Sequence, residues 1–431
     1  MPLRLSTGEA GFDDAFAALL DSKRETGAEV GDTVSEIIAA VARGGDAALF
    51  DYTRRFDRFD PSETGLAIGA GEVEAAVNRI DPQTRAALEL AAERIESFHA
   101  RQLPTDFEVN DPAGIRLGLR WTAIDAAGLY VPGGTAAYPS SVLMNALPAK
   151  VAGVSRRVMV VPTPDGVVND LVLAAARVAG ITEIWRIGGA QAVAALAYGT
   201  ESIVPVDKIV GPGNAYVAAA KRQVFGKVGI DSIAGPSEIL VVADAANDPS
   251  WIAIDLLSQA EHDTAAQAIL ITDDAGFADA VVAAVEDHLS TLPRTQIATE
   301  SWRTHGAVIV AGSMDEVPPL IDRLAPEHLE LAVEDADAMA ARVRHAGAIF
   351  LGRYTPEALG DYVAGPNHVL PTARTARFSS GLGVLDFMKR TTTVAADADG
   401  LGAIGPAAIT LAEAEGLDAH ARSVAIRLNR R

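Results

Sequence analysis

Lys208-Ile209-Val210-Gly211-Pro212-Gly213-Asn214-Ala215 is the stretch that decides the fold class. Residues 208–210 read as a strand, 211–214 as a tight turn, and 215–224 as a helix. A turn of this kind presents free backbone N–H groups and the positive end of a helix dipole, which is where dinucleotide phosphates bind. The glycine fingerprint of that class is incomplete, because its third glycine would fall on Tyr216. Gly188-Gly189-Ala190-Gln191 makes a second strand-to-helix turn, and Gly128-Leu129-Tyr130-Val131-Pro132-Gly133-Gly134 reads as a Gly-rich loop. One such loop is ordinarily a plain tight turn. Three at successive strand ends favour a ligand cleft.

The same rhythm extends outward. Strands over 157–162 and 183–187 alternate with helices over 171–179 and 190–197, which predicts βαβ units and a parallel sheet. A second set of strands follows over 238–243, 268–272, 306–311, 329–333 and 348–351, with helices between most of them. Two α/β domains are expected. Residues 11–101 read mostly as helices: Val34, Ile37, Ile38 and Val41 recur at helical spacing, and Asp81-Pro82 is a helix entry. His99 would end that helix at the surface. From about 382 the chain holds a helix over 406–415 and a polar end. It is too short for its own core and is expected to lie against something else, such as another subunit.

A chain of 431 residues suggests roughly two to four domains. Its net charge of −21 argues against nucleic acid or an anionic membrane as partner, since both call for a basic surface. The absence of cysteine excludes disulfides, iron–sulfur clusters, thiolate zinc sites and cysteine nucleophiles, and is compatible with cytoplasm. Met1-Pro2-Leu3-Arg4 leads into Asp13, Asp14, Asp21 and Lys23, which is no signal peptide. No apolar run approaches the length of a membrane span.

Ser258-Gln259-Ala260-Glu261-His262-Asp263 follows an apolar helical run. At i and i+3, Gln259 and His262 share a helix face, and an amide oxygen with an imidazole nitrogen can bind zinc. These are half a site. Asp361, in the loop from Gly360 to His368, could add an anionic oxygen or simply cap a turn. Glu415 and His420 could reach a site or could belong to a helix end closed by Gly416. Pro326-Glu327-His328 sets a carboxylate beside an imidazole ahead of a strand, a pairing suited to proton transfer although usually surface decoration.

These residues resemble the histidinol dehydrogenase family. The matching runs are Gly128 to Gly134, Gly188 to Val193, Val210 to Tyr216, Ala234 to Glu238, Asp255 to Asp263, Ala325 to Glu330, Gly365 to Leu370, Phe378 to Leu382 and Glu413 to Gly416. The resemblance implies oxidation of L-histidinol to L-histidine with two NAD⁺, and zinc (Zn2+) bound by Gln259, His262, Asp361 and His420. It implies Glu327 and His328 as the catalytic pair. Ser237, Gln259, His262, His328, Asp361, His368, Glu415 and His420 would contact substrate, and Tyr130, Gln191 and Asn214 would contact NAD⁺. It further implies a homodimer whose C-terminal segment reaches the neighbouring site. The α/β fold implied is two incomplete Rossmann-like parallel-sheet domains with small helical N- and C-terminal extensions. The expected division is 1–25, then 26–128 with 237–381 as the zinc-carrying domain, 129–236 as the NAD-side domain, and 382–431.

Without cysteine, the aldehyde step must proceed through a hydrate. His328 is expected to deprotonate the hydroxyl in both hydride transfers and Glu327 to activate the water. Zinc would act as a template. The rival readings are a related zinc and NAD dehydrogenase of another small polar alcohol such as a sulfonated diol, a zinc hydrolase using Glu327, and a noncatalytic metal-stabilised scaffold.

Overall fold

The computed structural model describes residues 1–22, 30–133, 138–233 and 235–429. Lys23, Gly134, Ala234 and residues 430–431 lie outside the described residues. In chain order the strands are β1 (Leu3–Ser6), β2 (Phe107–Asn110), β3 (Arg116–Ala123), β4 (Ala126–Tyr130), β5 (Arg156–Val160), β6 (Glu183–Trp185) and β7 (Lys208–Val210). They continue with β8 (Gly229–Ile230), β9 (Glu238–Ala243), β10 (Gln267–Thr272), β11 (Ala307–Val310), β12 (His328–Ala332), β13 (Ala348–Leu351) and β14 (Met388–Ala395).

Two sheets are parallel throughout. One has the order β1-β11-β10-β9-β12-β13 and the other β6-β5-β4-β7-β8. A third, antiparallel sheet has the order β14-β3-β2. Parallel strands are covered by helices on both faces, so their sequences are apolar without alternation. Accordingly every residue of β9 and β10 is buried. Along β9, Ile239 and Val241 face the helices Pro249–Ala260, Ala275–Leu289 and Thr295–His305, while Leu240 and Val242 face Phe12–Asp21 and Val317–Leu324.

The structure departs from the sequence reading in several places. Residues 128–130, read as loop, complete β4 in the middle of the five-stranded sheet. Gly128 is there for close packing: a Cβ would lie 2.8 Å from Leu196 Cδ1. The N-terminal extension supplies β1, an edge strand whose four residues are too few to show a period. Helices Gly31–Asp57, Ala70–Val77 and Pro82–Ala100, grouped by sequence with 237–381, bury their apolar faces with the five-stranded sheet instead. Finally, His99 is fully buried, with Nδ1 donating to the Ile95 carbonyl at 2.8 Å, and burial holds its pKa below the ordinary value.

The C-terminal helix begins earlier than read, at Ala398. Asp397 caps it by accepting from Gly400 N at 2.8 Å, and Pro406 lies inside it. Among the described residues, no helix is long and apolar enough to cross a membrane.

Candidate active site

Glu327 and His328 stand at the head of β12, beside Glu238 at the head of β9. Glu238 N donates to Glu327 Oε2 at 2.9 Å, and His328 Nδ1 lies 2.9 Å from the Glu238 carbonyl oxygen. A carbonyl can only accept, so Nδ1 carries the proton and Nε2 is left with its lone pair. Nε2 is buried, has no hydrogen-bond partner among the described residues, and lies 3.9 Å from Asp361 Oδ1. Burial holds the His328 pKa below the ordinary value, against the opposing pull of Asp361. The ring is therefore a neutral base aimed away from its anchor.

The short helix Glu357–Tyr362 crosses this strand end and contributes two carboxylates one turn apart. Asp361 Oδ1 is 3.9 Å from the nearest ring nitrogen of both His328 and His368. Glu357 Oε1 is 3.2 Å from His328 Nδ1, and the Glu357 carboxyl is held far above the usual range by burial and then by the negative charge of Asp361. His328, Glu357 and Asp361 each offer a ligand atom, all within 4.8 Å of one another. Gln259 joins them: with its amide assigned so that the nitrogen donates to Glu357, 3.1 Å from Oε2, its oxygen turns away and could serve as a ligand.

His262 lies in the turn beyond the helix Pro249–Ala260, with its N–H donating to Gln259 O at 3.1 Å. The shared helix face read from spacing is therefore a helix end followed by a turn. Burial holds the His368 pKa below the ordinary value, as it does for His328, and the nearby His262 adds to both effects. His368 bonds through Nδ1 to the Asp361 carbonyl at 3.1 Å, and its Nε2 lies 3.4 Å from Ser141 Oγ on the helix Pro139–Val151. That contact joins the two halves, because Ser141 belongs to the five-stranded side. Ser237 directly precedes β9, and its carbonyl accepts from Gln267 N at 3.0 Å.

The mixed oxygen and nitrogen donors Gln259, His262 and Asp361 suit a borderline cation such as zinc. Among the described residues, Glu415 and His420 do not fall within the group of potential ligands formed by His328, Glu357 and Asp361. Both are exposed, on the helices Ala398–Ala414 and Asp418–Ala425 and their connection, which pack against each other.

The other three expected residues gather at the carboxyl ends of the five-stranded sheet, where ligands of open parallel sheets bind. Tyr130 ends β4, and its hydroxyl accepts from Gly189 N at 2.9 Å. Burial pushes that hydroxyl's pKa up to about 12. Gln191 is buried in the first turn of Gly189–Tyr198, and its Oε1 has no hydrogen-bond partner among the described residues. Asn214 caps Ala215–Val224, accepting from Tyr216 N and Val217 N at 3.1 and 3.2 Å.

Sequence reasoning missed Glu357 and the deeper carboxyls Glu330 and Asp255. Glu330 lies two residues beyond His328 on the same face of β12 and accepts from Glu357 N. Its pKa is pushed up to about 8 by burial and then by Asp255, whose own pKa rises to about 6. Glu330 and Asp255 sit inside the quoted runs, where a buried acid looks like any other.

Comparison with known proteins agrees along the whole chain. The histidinol dehydrogenase family model matches residues 20–428. The chain is 70% identical over 431 residues to histidinol dehydrogenase of Rhodospirillum rubrum, covering 100% of this chain and 99% of that protein. It is 64% identical over 429 residues to that of Rhizobium meliloti, again covering 100% and 99%. The crystal structure of histidinol dehydrogenase from Elizabethkingia anophelis superposes with a TM-score of 0.94 at 35% identity, covering 99% of this chain and 98% of that one.

Proposed function

The chain belongs to the histidinol dehydrogenase family, and from that premise we propose how its residues carry out the NAD-dependent oxidation of L-histidinol, through L-histidinal, to L-histidine. The carrying observation is the fixed tautomer of His328: Nδ1 donates to the Glu238 carbonyl at 2.9 Å, which leaves buried Nε2 as the base. His328 takes the hydroxyl proton in both oxidations. Glu327, held beside it by Glu238 N, activates the water that adds to the aldehyde. The missing cysteine makes this hydration necessary, since no thiol is available to capture the aldehyde.

A zinc ion bound at Gln259, His262, Asp361 and His420 would supply a template for the substrate's imidazole and amine. NAD⁺ at Tyr130, Gln191 and Asn214 would supply the hydride acceptor. Ser237, His368 and Glu415 orient the substrate. His420 and Glu415 come from the neighbouring subunit of a homodimer, a reading supported by the exposure of both within one chain. A biosynthetic role of this kind belongs in the cytoplasm. The test is the NADH yield per histidinol, measured with and without a chelator. A yield of two NADH, lost on chelation, is expected from the two oxidations. One or none overturns the reading.

A further inference from the structure

Lys221 and Asp231 form an ion pair whose side chains are only 3% and 5% exposed. Lys221 lies on the helix Ala215–Val224, and Asp231 directly follows the edge strand β8. Between them they hold one backbone residue by both its polar groups. Lys221 Nζ donates to Gly211 O at 3.0 Å, and Gly211 N donates to Asp231 Oδ2 at 2.7 Å. Gly211 has φ +111°, and a Cβ there would fall 2.1 Å from the Tyr130 carbonyl oxygen, so it is pressed against the end of β4 in a conformation that favours glycine.

Burying a lysine and an aspartate carries a desolvation cost that an apolar pair of similar volume would avoid. What an apolar pair cannot do is hydrogen-bond Gly211. That residue opens the 211–214 turn, and Pro212 has no N–H of its own to brace it. The turn carries Asn214, and Gly211 abuts Tyr130, whose hydroxyl in turn accepts from Gly189 N. One buried pair thus braces the loop end shared by the residues assigned to NAD⁺.

We propose that the Lys221–Asp231 ion pair is a clamp that sets the conformation of the 211–214 turn and thereby the affinity for NAD⁺. Both are positioning residues, and the inference rests on the reading of Tyr130, Gln191 and Asn214 as the NAD⁺ site. The full-length protein is titrated with NAD⁺ by calorimetry and assayed at varied NAD⁺, as Lys221→Met, as Asp231→Leu, and as the double variant. Each single variant leaves a lone buried charge and melts at lower temperature. The double variant regains most of that loss. Its Kd and KM for NAD⁺ nevertheless stay raised by about tenfold or more, while histidinol binding and kcat at saturating NAD⁺ stay near the parent values. A folded double variant that binds NAD⁺ like the parent, while Asn214→Ala weakens binding, overturns the clamp. If Asn214→Ala also leaves NAD⁺ affinity unchanged, the cofactor reading fails and the clamp fails with it.

Discussion

Each nitrogen of His328 has one neighbour that defines it: a carbonyl that can only accept on Nδ1, and open chemistry with Asp361 at 3.9 Å on Nε2. Replacing it with asparagine keeps much of the polarity but removes the base. His328→Asn is expected to slow both hydride transfers by roughly 10²- to 10⁴-fold. Stopped-flow NADH traces check this, and an unchanged rate in either step assigns the proton to another group. Glu327→Gln keeps the contact to Glu238 N but cannot activate water. It is expected to let alcohol oxidation proceed and to stall at the aldehyde, whereas equal loss of both half-reactions refutes that division of labour. The pair itself was legible in sequence, because Glu-His ahead of an apolar strand is visible in one dimension. Glu357 was not, since a glutamate following Thr355-Pro356 looks like an ordinary helix entry until the fold brings it 3.2 Å from His328.

The helix Glu357–Tyr362 is docked by its first N–H, which Glu330 of β12 accepts. The same strand therefore carries the base and the anchor for the helix that bears Asp361. Burial raises the Glu330 pKa from 4.5 to about 8, so the folded protein holds that proton more tightly than the unfolded chain. The resulting stability is full below about 4.5 and is lost as pH rises through about 8. Glu330→Gln keeps an acceptor without a titrating proton. Melting temperatures across that window should fall less steeply with pH for Glu330→Gln than for the parent, and parallel slopes would show that Glu330 does not titrate there. On the same face of that sheet, Trp302 is wholly buried among Ala298, Val308 and Leu270. Trp302→Ala is expected to cost about 3–5 kcal/mol by denaturant unfolding. Most interior strands were readable from continuous apolar runs. β1 and β14 were not, because a short edge strand and a largely exposed one lack that signature.

At the scale of the molecule, the two parallel sheets meet with opposite ends. Glu238 and His328 head their strands in the six-stranded sheet, while Tyr130, Gly188 and Gly211 lie at or just past strand tails in the five-stranded one. The chain beyond Ala398 displays apolar side chains to solvent, with Leu411 65% and Ile426 71% exposed, a surface suited to burial against another chain. Mixing His328→Asn protomers with His420→Ala protomers tests the shared site. If the tail crosses to the partner, each mixed dimer regains one intact site, and about a quarter of parental activity returns after random reassortment. No recovery would place His420 in its own subunit's site.

The sequence by itself determined the parallel α/β class, the order of the strand-to-helix turns and the family, because apolar runs, glycine turns and ordered motifs are local properties of the chain. Only the tertiary structure decided which sheet the N-terminal helices cover, that His99 is buried, that Glu357 and Glu330 stand behind the base, and that Lys221 and Asp231 grip Gly211. Those facts depend on contacts between residues far apart in the chain, whose burial and charge environment exist only once the sheets have packed.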